Sequence, residues 1–219
     1  MILPLRSGWY SSGGGISLES SERRGAENSL LKRMKALQGR LEQSRAKLPA
    51  TAGELFEELR RILQQAVRAE VLRTPAYDVS KLLKQTVPTR SRHGGNLRAI
   101  TCGPKDFNRL AGNVDPKERL VREDGAVIHF TIMVEEVPGA EQLRLHAYDF
   151  ELYFPSKEPT EFVRFDLNEP GHDNEDDGVR SHFHPSHEDL QVPSPVLAPA
   201  EALSFLLYRM RLKRDVPRS

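Results

Sequence analysis

Apolar residues in the first third of the chain recur with the period of a helix. Over residues 30–48 they are spaced alternately by four and three residues, which predicts an amphipathic helix. A second stripe with this period covers residues 55–71. Pro49 ends the first helix, and Thr51 with Glu54 forms the capping-box pattern that begins the second. Because only a short connection separates the two helices, we expect an antiparallel helical hairpin.

From residue 126 onward the apolar pattern changes to the two-residue alternation of strands. Antiparallel strands joined by short turns are predicted over residues 126–137, 143–154 and 162–167, with a fourth, edge strand over 180–184. The second strand needs a β-bulge, because its apolar residues change parity between Leu145 and Phe150. A closing helix is predicted to begin at Pro199.

These elements predict an α+β fold: an N-terminal helical hairpin, then a three- to four-stranded antiparallel β-meander packed by a C-terminal helix. The start of the chain is rich in glycine and serine and has no periodicity, so we expect it to be flexible. The expected division is a flexible segment over 1–28, a hairpin arm over 29–73, short helices and a basic loop over 74–125, and the sheet with its C-terminal helix over 126–214.

Charge is unevenly distributed, although the formal net charge is only +1. Residues 1–100 carry 18 Lys and Arg against 9 Asp and Glu, and the rest of the chain carries 14 against 22. This division indicates either two separate functions or one half of the chain that neutralises the other. Basic helices beside acidic loops would give the same division without a functional meaning.

The single cysteine excludes an internal disulfide scaffold. No apolar run approaches the roughly 20 residues that span a bilayer, so we expect a cytoplasmic protein without membrane contact.

The residues best suited to chemistry lie over 164–189, where four of the seven histidines fall within sixteen residues. If 180–184 is a strand, His182 and His184 project from one face, because side chains alternate along a strand. Asp166 on the neighbouring predicted strand can add a carboxylate. Such a cluster can bind a divalent metal ion through neutral imidazoles, or it can transfer protons near neutral pH.

Four more residues belong to this candidate site. Arg164 and Arg180 are candidates to bind a phosphate group of a substrate. His172 and His187 are candidate ligands if a metal ion is bound. A structural role or a partner interface is the alternative for the whole cluster, because exposed edge strands often carry paired polar residues.

Other types of active site have less support in the sequence. The region lacks the glycine-rich phosphate loops and the nucleophile elbow, so nucleotide-dependent and α/β-hydrolase chemistry are not expected. Cys102 is a candidate nucleophile with His129 or His146 as its base, but a buried, unreactive thiol is the simpler interpretation.

Three short motifs in the second half of the chain support a family resemblance. They are Arg164-Phe165-Asp166 on a strand, Arg180-Ser181-His182-Phe183-His184 after it, and Pro199-Ala200-Glu201-Ala202-Leu203 at the start of a helix. In this order they resemble the TumE-type toxins of bacterial toxin–antitoxin pairs, over residues 126–208. Those toxins are small α+β proteins that act on RNA and are held by a cognate antitoxin.

The resemblance implies a toxin-like, RNA-acting protein, a ribonuclease of a toxin–antitoxin or defence locus. In this interpretation His182, His184 and Asp166 carry the reaction, Arg164 and Arg180 contact the RNA phosphates, and the partners are RNA and an antitoxin. No cofactor is certain, and a divalent metal ion is the candidate. The alternative is a non-catalytic interaction or scaffold protein that forms a homodimer, or docks a partner, through its helical hairpin.

Overall fold

The computed structural model describes residues 31–33, 35–37, 39, 48–91, 94–103, 118–155 and 158–212. A large antiparallel sheet forms its centre. Its strands are β1 (Leu83–Gln85), β2 (Thr89–Arg90), β3 (Asn96–Cys102), β4 (Leu120–Val121), β5 (Val127–Glu136), β6 (Arg144–Tyr153), β7 (Phe162–Leu167), β8 (Ser181–Pro185) and β9 (Val192–Pro193). The order across the sheet is β1-β3-β5-β6-β7-β8-β9, with β2 also paired to β3 and β4 to β5.

Short helices flank this sheet. They are α1 (Ala52–Arg68), α2 (Ala76–Leu82), α3 (Asp173–Asp176) and α4 (Pro199–Ser204), which continues into a π-helical turn (Phe205–Arg209). Within the described part of the chain, no helix is both long and apolar enough to cross a membrane.

The predicted fold class is wrong. The protein is built on a nine-stranded antiparallel sheet with few short helices, not on a helical hairpin followed by a three- to four-stranded meander. Residues 31–33, 35–37 and 39 of the predicted first helix are helical, and its remainder lies outside the described residues, as does the segment 1–28. The prediction failed because an apolar helical stripe shows that a helix needs a partner without showing which partner. The stripe of α1 packs into the core of the sheet.

Helix α1 begins as its sequence predicts. The Thr51 hydroxyl accepts a hydrogen bond from the Glu54 amide at 3.1 Å, and the Glu54 carboxylate accepts one from the Thr51 amide at 3.1 Å. Its buried side chains include Leu55, Leu59 and Leu63, all fully covered by the rest of the core. This helix therefore covers one face of the sheet and leaves the other face for polar residues.

Four strands in the region 74–125 were missed by the sequence analysis. The longest, β3, pairs with β5 over seven residues, from Asn96 opposite Glu136 to Cys102 opposite Phe130. Its seven residues show no clear alternation of polar and apolar side chains, and a basic, glycine-containing loop precedes them. Pairing with the strongly alternating β5 supplies the hydrogen bonds that fix it as a strand.

The central strands follow the predicted pattern closely. Antiparallel pairs join β5 to β6, β6 to β7 and β7 to β8. The predicted bulge is confirmed, because Met133 lies opposite Ala147 while Val134 lies opposite Leu145, which leaves His146 without a partner in the register. One face of these strands carries the apolar core, and the opposite face is polar. The polar face consists of His129, Thr131, Asp149, Glu151, Arg164, Asp166, His182 and His184.

Candidate functional site

The antiparallel register lines up the polar face in two rows across the sheet. One row runs from His129 through Glu151 and Arg164 to His184. The other runs from Thr131 through Asp149 and Asp166 to His182. Side chains directly opposite each other on neighbouring strands lie about 5 Å apart at Cβ, so each row brings its groups into contact.

Asp166, His182 and His184 form a buried triad at one end of these rows. The Asp166 Oδ2 atom lies 3.4 Å from Nε2 of His182 and 3.2 Å from Nε2 of His184. The three residues are at most 8% exposed. Their ligand atoms all lie within 4.8 Å of one another, a grouping that can hold a metal ion. The strand pattern of the sequence predicts that these three residues lie together, and in the structure they do.

The second nitrogen of each imidazole ring faces a backbone carbonyl. Nδ1 of His182 lies 2.7 Å from the Val179 carbonyl, and Nδ1 of His184 lies 3.2 Å from the His187 carbonyl. A carbonyl only accepts hydrogen bonds, so each Nδ1 carries the hydrogen, and in the neutral ring Nε2 keeps a free lone pair. Histidines that bind metal ions are typically oriented in this way by a second hydrogen bond.

The Nε2 atom of His184 is buried without a satisfactory hydrogen bond. It contacts Asp166 at 3.2 Å, but no hydrogen bond of good geometry reaches it from the residues that the structure describes. A buried polar atom left in this state costs about 1–3 kcal/mol. A cation placed between the triad atoms would satisfy it.

Asp166 is held as a carboxylate. Burial alone would raise its pKa, but the neighbouring imidazoles of His182 and His184 and the guanidinium of Arg164 outweigh burial and hold the pKa well below its usual range. The Nε atom of Arg164 donates to Oδ2 of Asp166 at 2.7 Å. The triad therefore presents a carboxylate beside the Nε2 atoms of two imidazole rings.

Arg164 contacts carboxylates on three sides. Besides Asp166, it donates two hydrogen bonds to Glu188, at 3.1 and 2.8 Å, and lies 3.7 Å from Glu151. Its side chain is about one-fifth exposed, at 19%. The predicted phosphate ligand is thus paired with acidic groups of the protein itself.

A histidine and two carboxylates form the other end of the polar face. Nδ1 of His129 lies 3.4 Å from Asp149 and 3.6 Å from Glu151. Burial alone would lower the pKa of His129, but the hydrogen bonds and charges of these two carboxylates outweigh it and raise the pKa to about 9. His129 is therefore a cation at neutral pH.

This raised pKa gives the stability of the protein a pH dependence. The pKa of His129 is higher in the folded than in the unfolded chain, so its contribution is complete below about pH 6.5 and is lost as the pH rises through about 9. Since Asp149 is partly solvated, we expect the free energy of unfolding to fall by about 2 kcal/mol over this pH range.

Urea unfolding of the wild type and of His129→Gln at pH 6 and pH 9.5 measures this change. The variant should show a flatter profile, and exposed His187→Gln should keep the wild-type profile. Equal profiles for wild type and His129→Gln would contradict this assignment.

An open cleft of about 640 Å³ lies over the middle of the polar face. Asp149, Glu151, Arg164 and Asp166 line it, together with the segment 167–172 that follows β7. Asp166 belongs to both the cleft and the buried triad, so a ligand in the cleft would lie beside the triad.

Three other predicted site residues lie apart from the triad. His172 is exposed, begins α3 and accepts a hydrogen bond from the Asn174 amide at 3.2 Å. His187 is exposed and contributes its backbone carbonyl to His184 rather than its ring. Arg180 donates to the carbonyls of Asn168 and His146, both at 3.0 Å. None of the three side chains belongs to the triad.

Cys102 is a buried residue with a free thiol. It lies in the core, opposite Phe130, whereas His129 projects from the other face of the sheet. Burial raises the pKa of the Cys102 thiol to about 12, so the thiolate is scarce at neutral pH. His146 instead contacts the buried carboxylate of Glu135 at 3.1 Å. These positions favour the interpretation of Cys102 as an unreactive core residue.

Asp149, Glu151 and Glu188 were missed as members of the site. The first two lie on β6, where their alternation with apolar residues was visible, but their proximity to Asp166 depends on the register between β6 and β7. Glu188 lies in the loop after β8, and no periodicity relates it to Arg164. The sequence therefore carried a signal for the first two residues and none for the third.

Comparisons of the chain with protein-family models, with curated proteins and with solved structures found no match. The resemblance to TumE-type toxins stays a prediction that rests on the three short motifs.

Proposed function

We propose that the protein is a metal-dependent hydrolase that acts on RNA, with Asp166, His182 and His184 as ligands of a divalent transition-metal ion. The observation that carries the proposal is the convergence of one carboxylate oxygen and two Nε2 atoms whose rings are already oriented by backbone carbonyls. Two imidazoles and one carboxylate are a donor set that suits Zn²⁺ or Fe²⁺ and leaves further positions open for water and substrate.

The distances from Asp166 to the two histidines suit a tetrahedral site, and the ligand atoms of the two histidines lie within 4.8 Å of each other. With metal–ligand bonds of about 2.1 Å, two ligand atoms of a tetrahedral ion are about 3.4 Å apart. The Asp166 oxygen is 3.4 and 3.2 Å from the two Nε2 atoms. The hydrogen bond from Arg164 to the same carboxylate would orient this ligand, as outer contacts do in metal sites.

A bound ion of this kind supplies hydrolytic chemistry. It lowers the pKa of a bound water to about 7, which makes hydroxide available at neutral pH. Asp149 lies directly across from Asp166 and lines the cleft, so it is suited to take the proton that this water loses. Hydrolysis would transfer the oxygen of this water to phosphorus and release the oxygen of the leaving nucleotide, which would take up the proton that Asp149 had received.

RNA is the proposed substrate on the basis of the sequence motifs and of Arg164. This arginine lies beside the triad, where it can bind a phosphate oxygen of the backbone. The proposal implies action on cytoplasmic RNA and a cognate antitoxin as the protein partner. The alternative, a scaffold that dimerises or docks a partner through a helical hairpin, has less support, because the described residues do not show that hairpin.

Removing and restoring the metal ion tests this function. Protein stripped with a chelator should leave a labelled RNA intact, and about one equivalent of Zn²⁺ or Fe²⁺ per chain should restore cleavage. Elemental analysis of the dialysed protein gives the bound metal, and gel electrophoresis gives the cleavage. RNA cleavage that is unchanged by chelation, or a protein that binds no transition metal, would refute the proposal.

A further inference from the structure

The ion pair between Arg164 and Glu188 has the geometry of bound substrate phosphate. The two terminal nitrogens of the guanidinium each donate to a different oxygen of Glu188, at 3.1 and 2.8 Å. This two-bond arrangement is the one by which arginine binds both carboxylates and phosphates. Glu188 therefore occupies the position that two phosphate oxygens would take.

Glu188 is the solvent-exposed partner of this ion pair. Its side chain is 59% exposed and lies in a loop whose residues 187–190 are all exposed. Because solvent reaches this carboxylate, water and dissolved anions can compete with it for Arg164. By contrast, the bond from Arg164 to Asp166 is short and largely buried. Arg164 can thus release Glu188 while Asp166 keeps its guanidinium in place.

The charge around the triad indicates when an anion can replace Glu188. Four carboxylates, those of Asp149, Glu151, Asp166 and Glu188, face two cations, Arg164 and protonated His129. A divalent ion in the triad would offset two of these negative charges, and departure of Glu188 would remove a third. Phosphate binding is therefore expected to require both the metal ion and the release of Glu188.

We infer that the outer edge of Arg164 is the binding site for a phosphodiester group of the RNA substrate, and that Glu188 occupies this site until the substrate displaces it. This inference rests on the proposed function, because the metal ion is what makes the cleft receptive to an anion. Glu188 thereby has a regulatory role, because it competes with the substrate for Arg164. Anions that bind Arg164 only weakly do not displace it.

Substitution of Glu188 tests the competition directly. In the Co²⁺-loaded protein, Glu188→Gln should tighten the binding of inorganic phosphate about five-fold, measured by broadening of the phosphate ³¹P resonance near the paramagnetic ion. The matched control is Asp189→Asn, which removes a charge from the same loop at a residue that is 93% exposed. This control should change phosphate binding by less than about two-fold.

A second pair of variants separates competition at Arg164 from a general charge effect. In an Arg164→Gln background, Glu188→Gln should no longer tighten phosphate binding, because the two groups compete for one guanidinium. The KM for a short RNA should fall by the same factor as the phosphate dissociation constant in the single Glu188→Gln variant. An unchanged KM would overturn RNA phosphodiester as the occupant.

Failure of this inference is distinguishable from failure of the proposed function. If the protein binds Co²⁺ and cleaves RNA but Glu188→Gln behaves like Asp189→Asn, the inference is overturned and the function stands. If the protein binds no transition metal, the function fails. In that case the inference falls with it, because phosphate binding beside the triad requires the ion.

Discussion

Replacing His182 and His184 together by alanine is expected to lower the affinity for a transition-metal ion at least about a thousandfold. The double variant removes two of the three ligand atoms that converge in the triad. Loss of a single outer contact of a metal site already lowers affinity about 10- to 100-fold, so the loss of two direct ligands has a larger effect. Titration with Co²⁺, followed by its visible absorption, measures the affinity. Cleavage of RNA should be lost with the metal.

The chain offers a matched control for this experiment. His172→Ala/His187→Ala removes the same two side chains from exposed positions, and both were candidate ligands in the sequence. This control should bind Co²⁺ like the wild type. Because His182 and His184 are buried, Asp166→Asn provides a variant that conserves shape, and near-UV circular dichroism monitors the fold. The metal assignment would be wrong if the control lost the ion, or if folded triad variants kept it.

Replacing Arg122 by methionine is expected to destabilise the protein by about 3–5 kcal/mol. Arg122 is fully buried, with its guanidinium paired to Asp124. It also donates to the backbone carbonyls of Leu206, within the π-helical turn, and of Met210, directly after it. Methionine fills a similar volume but leaves Asp124 and both carbonyls without their donor. Urea unfolding at neutral pH measures the change.

The substitution Arg73→Met is the corresponding control, because this arginine is exposed on the segment beside β4. It should change the free energy of unfolding by less than about 0.5 kcal/mol. Adding Asp124→Asn to Arg122→Met should recover part of the lost stability, because it removes the unpaired charge. If Arg122→Met were no more destabilising than Arg73→Met, the buried ion pair would not anchor the C-terminal turn.

The candidate site was partly predictable because strands obey a two-residue alternation. This rule placed His182 and His184 on one face and Asp166 beside them, and the register of β7 with β8 brings them together. The same rule could not show that their Nδ1 atoms face the carbonyls of Val179 and His187. Those contacts depend on how the chain turns before and after β8, for which the pattern carries no information.

The helical half of the prediction failed for a related reason. The capping box at Thr51 and Glu54 and the apolar stripe that follows correctly predicted helix α1, since both depend on neighbours within a few residues. The choice of its partner depends on contacts between segments distant in sequence, and α1 packs on the sheet. Strand β3 was missed for the same reason, because β5 is what holds it in the sheet.

The sequence by itself determined the local structure: where α1 and α4 begin, which strands alternate, where β6 carries its bulge and which three residues share a polar face. These features depend on residues within one or two turns or along one strand, so their period is visible in the chain. The tertiary structure alone decided the nine-stranded sheet, the partner of α1, the row from His129 to His184 and the pairing of Arg164 with Glu188. Each depends on the register between strands or on the path of a loop, and these are fixed by packing and hydrogen bonds between distant segments.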